Sequence, residues 1–186
     1  MSYLGGIALV MVAATLTGSA LHHVVTWRRF HADIAAQRVL PPVSVWPVAA
    51  GATLIELGLG AVLVSLAIGA VDGGALRRTA PLLSAALFAV YAAYSTVLVR
   101  FRPGVPCGCG SSARPVSLWT ALRAAVLCGV SLAAVGASGL AEMTVAESAA
   151  VTALALVSAG AIWTVPDAFH VPGWRGTADK YAELRG

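Results

Sequence analysis

Five apolar stretches follow one another in this chain: Tyr3 to Val25, about Val45 to Val71, Pro81 to Val99, Ser117 to Leu140, and about Val145 to Val165. Each is long enough for a helix to cross about 30 Å of hydrocarbon. A bilayer core has no water to satisfy backbone N–H and C=O groups, so apolar segments of this kind must satisfy them internally, as helices. The expected fold is an all-α integral membrane protein, a bundle of about five transmembrane helices, or four if the last hydrophobic run does not span. Composition agrees, because 59% hydrophobic and 11% charged residues, with a mean hydropathy of +0.84, leave too little polar surface to cover a soluble globule. Residues 1–166 then form one transmembrane domain and residues 167–186 a polar C-terminal tail. Small residues at Gly18 and Ala20 would suit signal-peptide processing, but no Lys or Arg precedes the first run and its length suffices to span, so it is read as a helix.

Between the runs lie "TWRRFHADIAAQRVLPPVS", "DGGALRRT", "RFRPGVPCGCGSSARPVSLW" and "GLAEMT", all read as loops from their charges and breakers. An odd number of crossings sorts these loops onto two faces. One face carries Arg28, Arg29, Arg38, Arg100, Arg102, Arg114, Arg175, Lys180 and Arg185, and the other only Arg77 and Arg78. Trp27, Trp46, Trp119, Trp163 and Trp174 also fall at or beyond helix ends on the arginine-rich face, where amphipathic rings favour the headgroup level. The positive-inside rule makes that face cytoplasmic. The net charge of +4 is explained by loops at a lipid bilayer surface, and nucleic-acid binding is not indicated.

A charge within a span costs about 2.5 to 3.5 kcal/mol on insertion scales and needs a reason. Glu56 in "TLIELGLG" and Arg123 in "WTALRAAVL" are the two clear cases, both expected roughly 9 to 15 Å beneath the arginine-rich face. They read either as a functional intramembrane pair lining a pocket, with Glu56 as a proton acceptor, or as an ion pair that only fixes helix packing. An Arg123 that snorkels to the headgroups is a further reading. His22 and His23 end the first run on the same face, and adjacent helical positions do not point at one ligand.

Cys107 and Cys109 in "PCGCG" are flanked by Pro106, Gly108 and Gly110, residues that leave the backbone bare and turned. A thiol attacks as its thiolate, and Arg100, Arg102 and Arg114 nearby in the sequence favour that charge. Three readings stand: a reversible dithiol and disulfide couple, eased toward reduction by ring strain; metal capture, short of the four ligands a closed zinc site wants; and a structural staple, weak because so small a ring removes little chain entropy. The redox reading is the one adopted, with no metal site. Cys128, in the fourth run, is read as a small packing hydrophobe.

The order of these features resembles the MauE methylamine-utilisation proteins, relatives of DoxX-like membrane proteins, over about residues 1–140. The resemblance rests on "LPP" after the first run, "WPVAAGATLIELGLGAVLV" with its proline and Glu56, an arginine-ended third run, "CGCG", and "PVSLWTALRAAVL" with Arg123. Many relatives read Cys-Gly-Cys-Phe-Gly, whereas Gly110 follows Cys109 directly here, and the lysine common near the end of their first helix has no clear equivalent beyond Arg28 and Arg29. The resemblance implies a multi-pass protein of the cytoplasmic membrane of a prokaryote, accessory to the maturation of methylamine dehydrogenase, whose small subunit is rich in disulfides. Cys107 and Cys109 would exchange electrons with a thioredoxin-like partner, and a quinone near Glu56 and Arg123 is one candidate acceptor that no sequence motif announces. Other classes are a non-catalytic membrane scaffold or chaperone and, disfavoured by the absence of inverted repeats, a small transporter.

Overall fold

The computed structural model describes residues 3–71, 73–106, 115–137, 140 and 143–168. These residues form six helices: α1 (Tyr3–Val25), α2 (Trp27–Gln37), α3 (Pro42–Ala67), α4 (Leu76–Phe101), α5 (Leu118–Ala133) and α6 (Val145–Ala168). Four of them, α1, α3, α4 and the Val145–Thr164 portion of α6, are long and apolar enough to cross a membrane. The last run is therefore of spanning length. The short one is the fourth, since α5 has 16 residues and rises about 24 Å. It stops before Leu140 because Gly136 takes a left-handed φ of 74°, and the amide of Gly136 turns to donate to the Arg77 carbonyl at 3.2 Å.

A second difference lies in "WRRFHADIAAQ", expected as loop and found as α2. Phe30 and Gln37 are buried and Ile34 half-buried, while Arg28, Arg29, Ala32, Ala35 and Ala36 are exposed, the 3.6-residue pattern of an amphipathic helix. Arg29 and Asp33 pair at 4.0 Å one turn apart on the outer side. Burial holds the Asp33 carboxyl above its ordinary range, and the nearby Arg29 guanidinium partly opposes that. The helix ends where Arg38 adopts φ 50°, ahead of Pro41 and Pro42.

α1 is the most enclosed of the candidate spans, packing chiefly on α3 and α6, while α4 packs chiefly on α5. The core joins Leu9, Val12 and Leu16 of α1 to Leu63 and Leu66 of α3, Phe88 of α4, Leu127 of α5 and Ala155 of α6. In lipid, exchanging acyl chains for leucines gains little, so association rests on close packing at small residues. Gly60 meets that need on α3: a Cβ there would lie 2.6 Å from Thr17 Oγ1 and 3.1 Å from the Thr17 amide nitrogen on α1.

The described connections gather at the two ends of the helices. Tyr3 donates to Glu147 Oε1 at 2.6 Å, joining the starts of α1 and α6 on the face that also holds the Gly136–Arg77 contact. Glu147 and Thr144 form a capping box there, Thr144 N–H donating to Glu147 Oε2 at 2.9 Å and Glu147 N–H to Thr144 Oγ1 at 3.3 Å. On the opposite face the end of α2 meets the connection after α4, where Gln37 Nε2 donates to the Pro106 carbonyl at 2.9 Å. The tail beyond Ala168, including Trp174, lies outside the described residues.

Candidate functional site

On α1, Thr15, Ser19 and His23 recur every four residues and so share one face. That face turns toward Glu56 of α3. His23 Nε2 lies 3.6 Å from Glu56 Oε2 and 3.3 Å from Ser19 Oγ, and the imidazole stacks on Phe30 of α2 with ring centroids 3.8 Å apart. From α4, the Tyr91 hydroxyl donates to Glu56 Oε1 at 2.7 Å. Glu56 is 2% exposed and His23 4%, so both polar groups are removed from solvent and lipid alike. His23 Nδ1 and Glu56 Oε2 have no hydrogen-bond partner among the described residues. Burial without a hydrogen bond is costly for either atom.

These groups line a cavity of about 330 Å³, walled mainly by Leu16, Phe88, Leu98, Val116, Ala124 and Leu127. Val48 of α3 and Val90 of α4 also line it and are 44% and 62% exposed, so its open edge lies between α3 and α4, which touch only slightly. Toward the arginine-rich face the cavity is bounded by Gln37 and Tyr94. Gln37 is buried and accepts the Tyr94 hydroxyl on Oε1 at 2.5 Å while its amide nitrogen holds the Pro106 carbonyl.

Arg123 lines the same cavity as Glu56, but the two form no ion pair among the described residues. Instead the Arg123 guanidinium sits 4.7 Å from the centre of the Trp163 ring on α6. α3 begins at Pro42, three residues before the expected start, and its Glu56 lies beside His23, close to the C-terminal end of α1.

Of the paired histidines, His23 faces the cavity and His22 does not line it. Cys128 is half-buried against the core and is not among the cavity-lining residues. Cys107 and Cys109 lie outside the described residues, but both ends of their segment are defined. Pro106 and Pro115 form an antiparallel bridge, and Val116 N–H donates to the Val105 carbonyl at 2.8 Å. No group of three or more His, Cys, Asp or Glu suited to a metal ion occurs among the described residues.

Tyr91, Tyr94 and Gln37 were not candidates on sequence grounds. The four-residue spacing of Thr15, Ser19 and His23 was the signal available for His23, and the Tyr91 and Tyr94 spacing, three residues apart in an apolar run, for α4. Gln37 gave none, because it is polar within a segment read as loop.

No curated protein and no solved structure matches the chain. The family model described as "Methylamine utilisation protein MauE" matches residues 1–140, a stretch from α1 through α5 that contains every cavity-lining residue except Trp163. The chain therefore belongs to the MauE family, multi-pass membrane proteins of methylamine utilisation.

Proposed function

We propose that this protein is a membrane thiol–disulfide redox component whose Cys107 and Cys109 exchange electrons with a thioredoxin-like partner, in support of methylamine dehydrogenase maturation. The observation that carries the reading is the mounting of the Cys-Gly-Cys segment. Its flanks at Pro106 and Pro115 are bridged, and the Pro106 carbonyl is held by Gln37, a wall of the cavity that contains Glu56. A dithiol meant only to close a small ring has no need of an anchor to a buried polar cluster.

The exchange balances simply. The partner's dithiol gives two electrons and two protons to the Cys107–Cys109 disulfide, one S–S bond breaking as another forms in the partner. Glu56, paired with Tyr91 and near His23, is the group suited to hold a proton on the membrane protein's side. Arg123 flanks the cavity as its cation.

The test is trapping. With either cysteine changed to serine, the remaining thiol should form a mixed disulfide with a co-expressed thioredoxin-like protein, visible as a reductant-sensitive band. Wild-type protein in membranes should show maleimide labelling of Cys107 and Cys109 that rises on adding dithiothreitol. Equal labelling with and without reductant would sink the reading.

A further inference from the structure

We propose that the cavity between α1, α3, α4 and α5 binds a membrane-soluble quinone, which takes the electrons of the Cys107–Cys109 dithiol. For its electron source this rests on the redox reading above; for its site it rests on the cavity alone. The walls are apolar and the open edge, at Val48 and Val90, lies on membrane-spanning helices, so the occupant enters from lipid. At about 330 Å³ the space falls at the small end of ligand sites, roughly 300 to 1,000 Å³.

An acyl chain would fill the volume but leave Glu56 Oε2 and His23 Nδ1 without a hydrogen bond, at the cost that buried polar atoms carry. An anionic metabolite would find a counter-charge in Arg123, but it would have to enter through an edge that opens on membrane-spanning helices, past walls that include Leu16, Phe88, Leu98 and Leu127. What satisfies both constraints is an apolar ring bearing oxygen atoms able to accept and then donate hydrogen bonds. Tyr91, Glu56 and His23 supply a hydroxyl, a carboxyl and an imidazole within one cluster, groups that can hand protons to such oxygens.

The chemistry of the thiols suits the same occupant. Oxidation of the dithiol breaks two S–H bonds, forms one S–S bond and releases two electrons and two protons. A quinone consumes both pairs, its two carbonyl oxygens becoming the hydroxyls of the quinol. Disulfide is thereby restored for the next exchange with the partner, with one quinol formed per turn.

The test uses the full chain in nanodiscs of phosphatidylcholine, with decylubiquinone as probe. Tryptophan fluorescence, reporting in part from Trp163 at the cavity wall, should be quenched saturably in wild type. Affinity should fall about tenfold or more when the cavity is narrowed by Ala52→Phe, and about tenfold in Tyr91→Phe, which keeps the volume and removes the hydroxyl. The Cys107→Ser, Cys109→Ser double variant should bind as wild type does and form no quinol, whereas reduced wild type should form one quinol per disulfide. Absence of saturable quenching, equal quenching in all variants, or binding without quinol formation would each overturn the proposal. A mixed disulfide with the partner alongside any of these failures would leave the redox reading standing, and quinone binding without any thiol exchange would do the reverse.

Discussion

Tyr91 on α4 donates its hydroxyl to Glu56 Oε1 on α3 at 2.7 Å, a polar tie between two helices that otherwise touch little. Removing the hydroxyl leaves a buried carboxyl oxygen without its donor, a loss of about 1 to 3 kcal/mol. Tyr91→Phe should therefore lower the thermal midpoint in detergent by several degrees with the helix content unchanged by circular dichroism. Glu56→Gln, which keeps an acceptor for Tyr91, should be the milder change; the reverse order would show that Tyr91 does not depend on this bond.

Arg123 and Trp163 define the second prediction. A guanidinium 4.7 Å from the ring centre contributes about 0.5 to 2 kcal/mol. In a double-mutant cycle, Arg123→Leu and Trp163→Leu should couple by that amount, while Arg123→Leu and Glu56→Gln should be nearly additive. Strong coupling of Arg123 to Glu56 would restore the ion pair that the sequence alone suggests.

Gln37 holds two elements at once, Tyr94 on α4 and the Pro106 carbonyl next to Cys107. Gln37→Leu keeps the volume and deletes both hydrogen bonds, about 1 kcal/mol each. Maleimide labelling of reduced Cys107 and Cys109 should accelerate, and limited proteolysis between Arg102 and Arg114 should speed up, while cleavage elsewhere stays unchanged. Labelling kinetics identical to wild type would mean that Gln37 does not anchor the segment.

Sidedness is predicted from the sequence, in which the segments assigned to the face of the cysteine segment hold nine Lys or Arg residues and those assigned to the other hold two. Green fluorescent protein fused to the C-terminus should glow, alkaline phosphatase fused there should be inactive, and an impermeant maleimide should miss Cys107 and Cys109 in intact cells. An active phosphatase with cysteines labelled from outside would invert the orientation and make exchange with an extracytoplasmic partner direct. Cysteines on one side and the tail on the other would mean that α5 and α6 do not both cross.

Four of the five expected spans were legible because hydrocarbon imposes a length and a polarity that any sequence must display, whereas the fourth run gave a helix shorter than read. α2 was not legible, because its signal is periodicity rather than apolar content, and Arg28, Arg29, His31 and Asp33 make the segment read as a polar connection. Glu56 announced itself as a charge in an apolar run. Its partners did not: Tyr91 is unremarkable in a membrane helix, and His23 sits at a helix end where histidine is commonplace. Pairing Glu56 with Arg123 was the natural reading of opposite charges, but Tyr91 and His23 lie at the carboxyl and the Trp163 ring takes the guanidinium.

The enclosure of α1 bears on how the protein is put together. α1 precedes its neighbours in synthesis, yet its Thr15, Ser19 and His23 find their surroundings only when later helices arrive. Until α3 follows, the imidazole has no carboxyl beside it, and until α4 follows, that carboxyl has no phenol. The polar centre is thus the joint product of three separate insertion events, and a nascent chain halted after α3 would hold Glu56 in the bilayer without the hydroxyl that completes its setting.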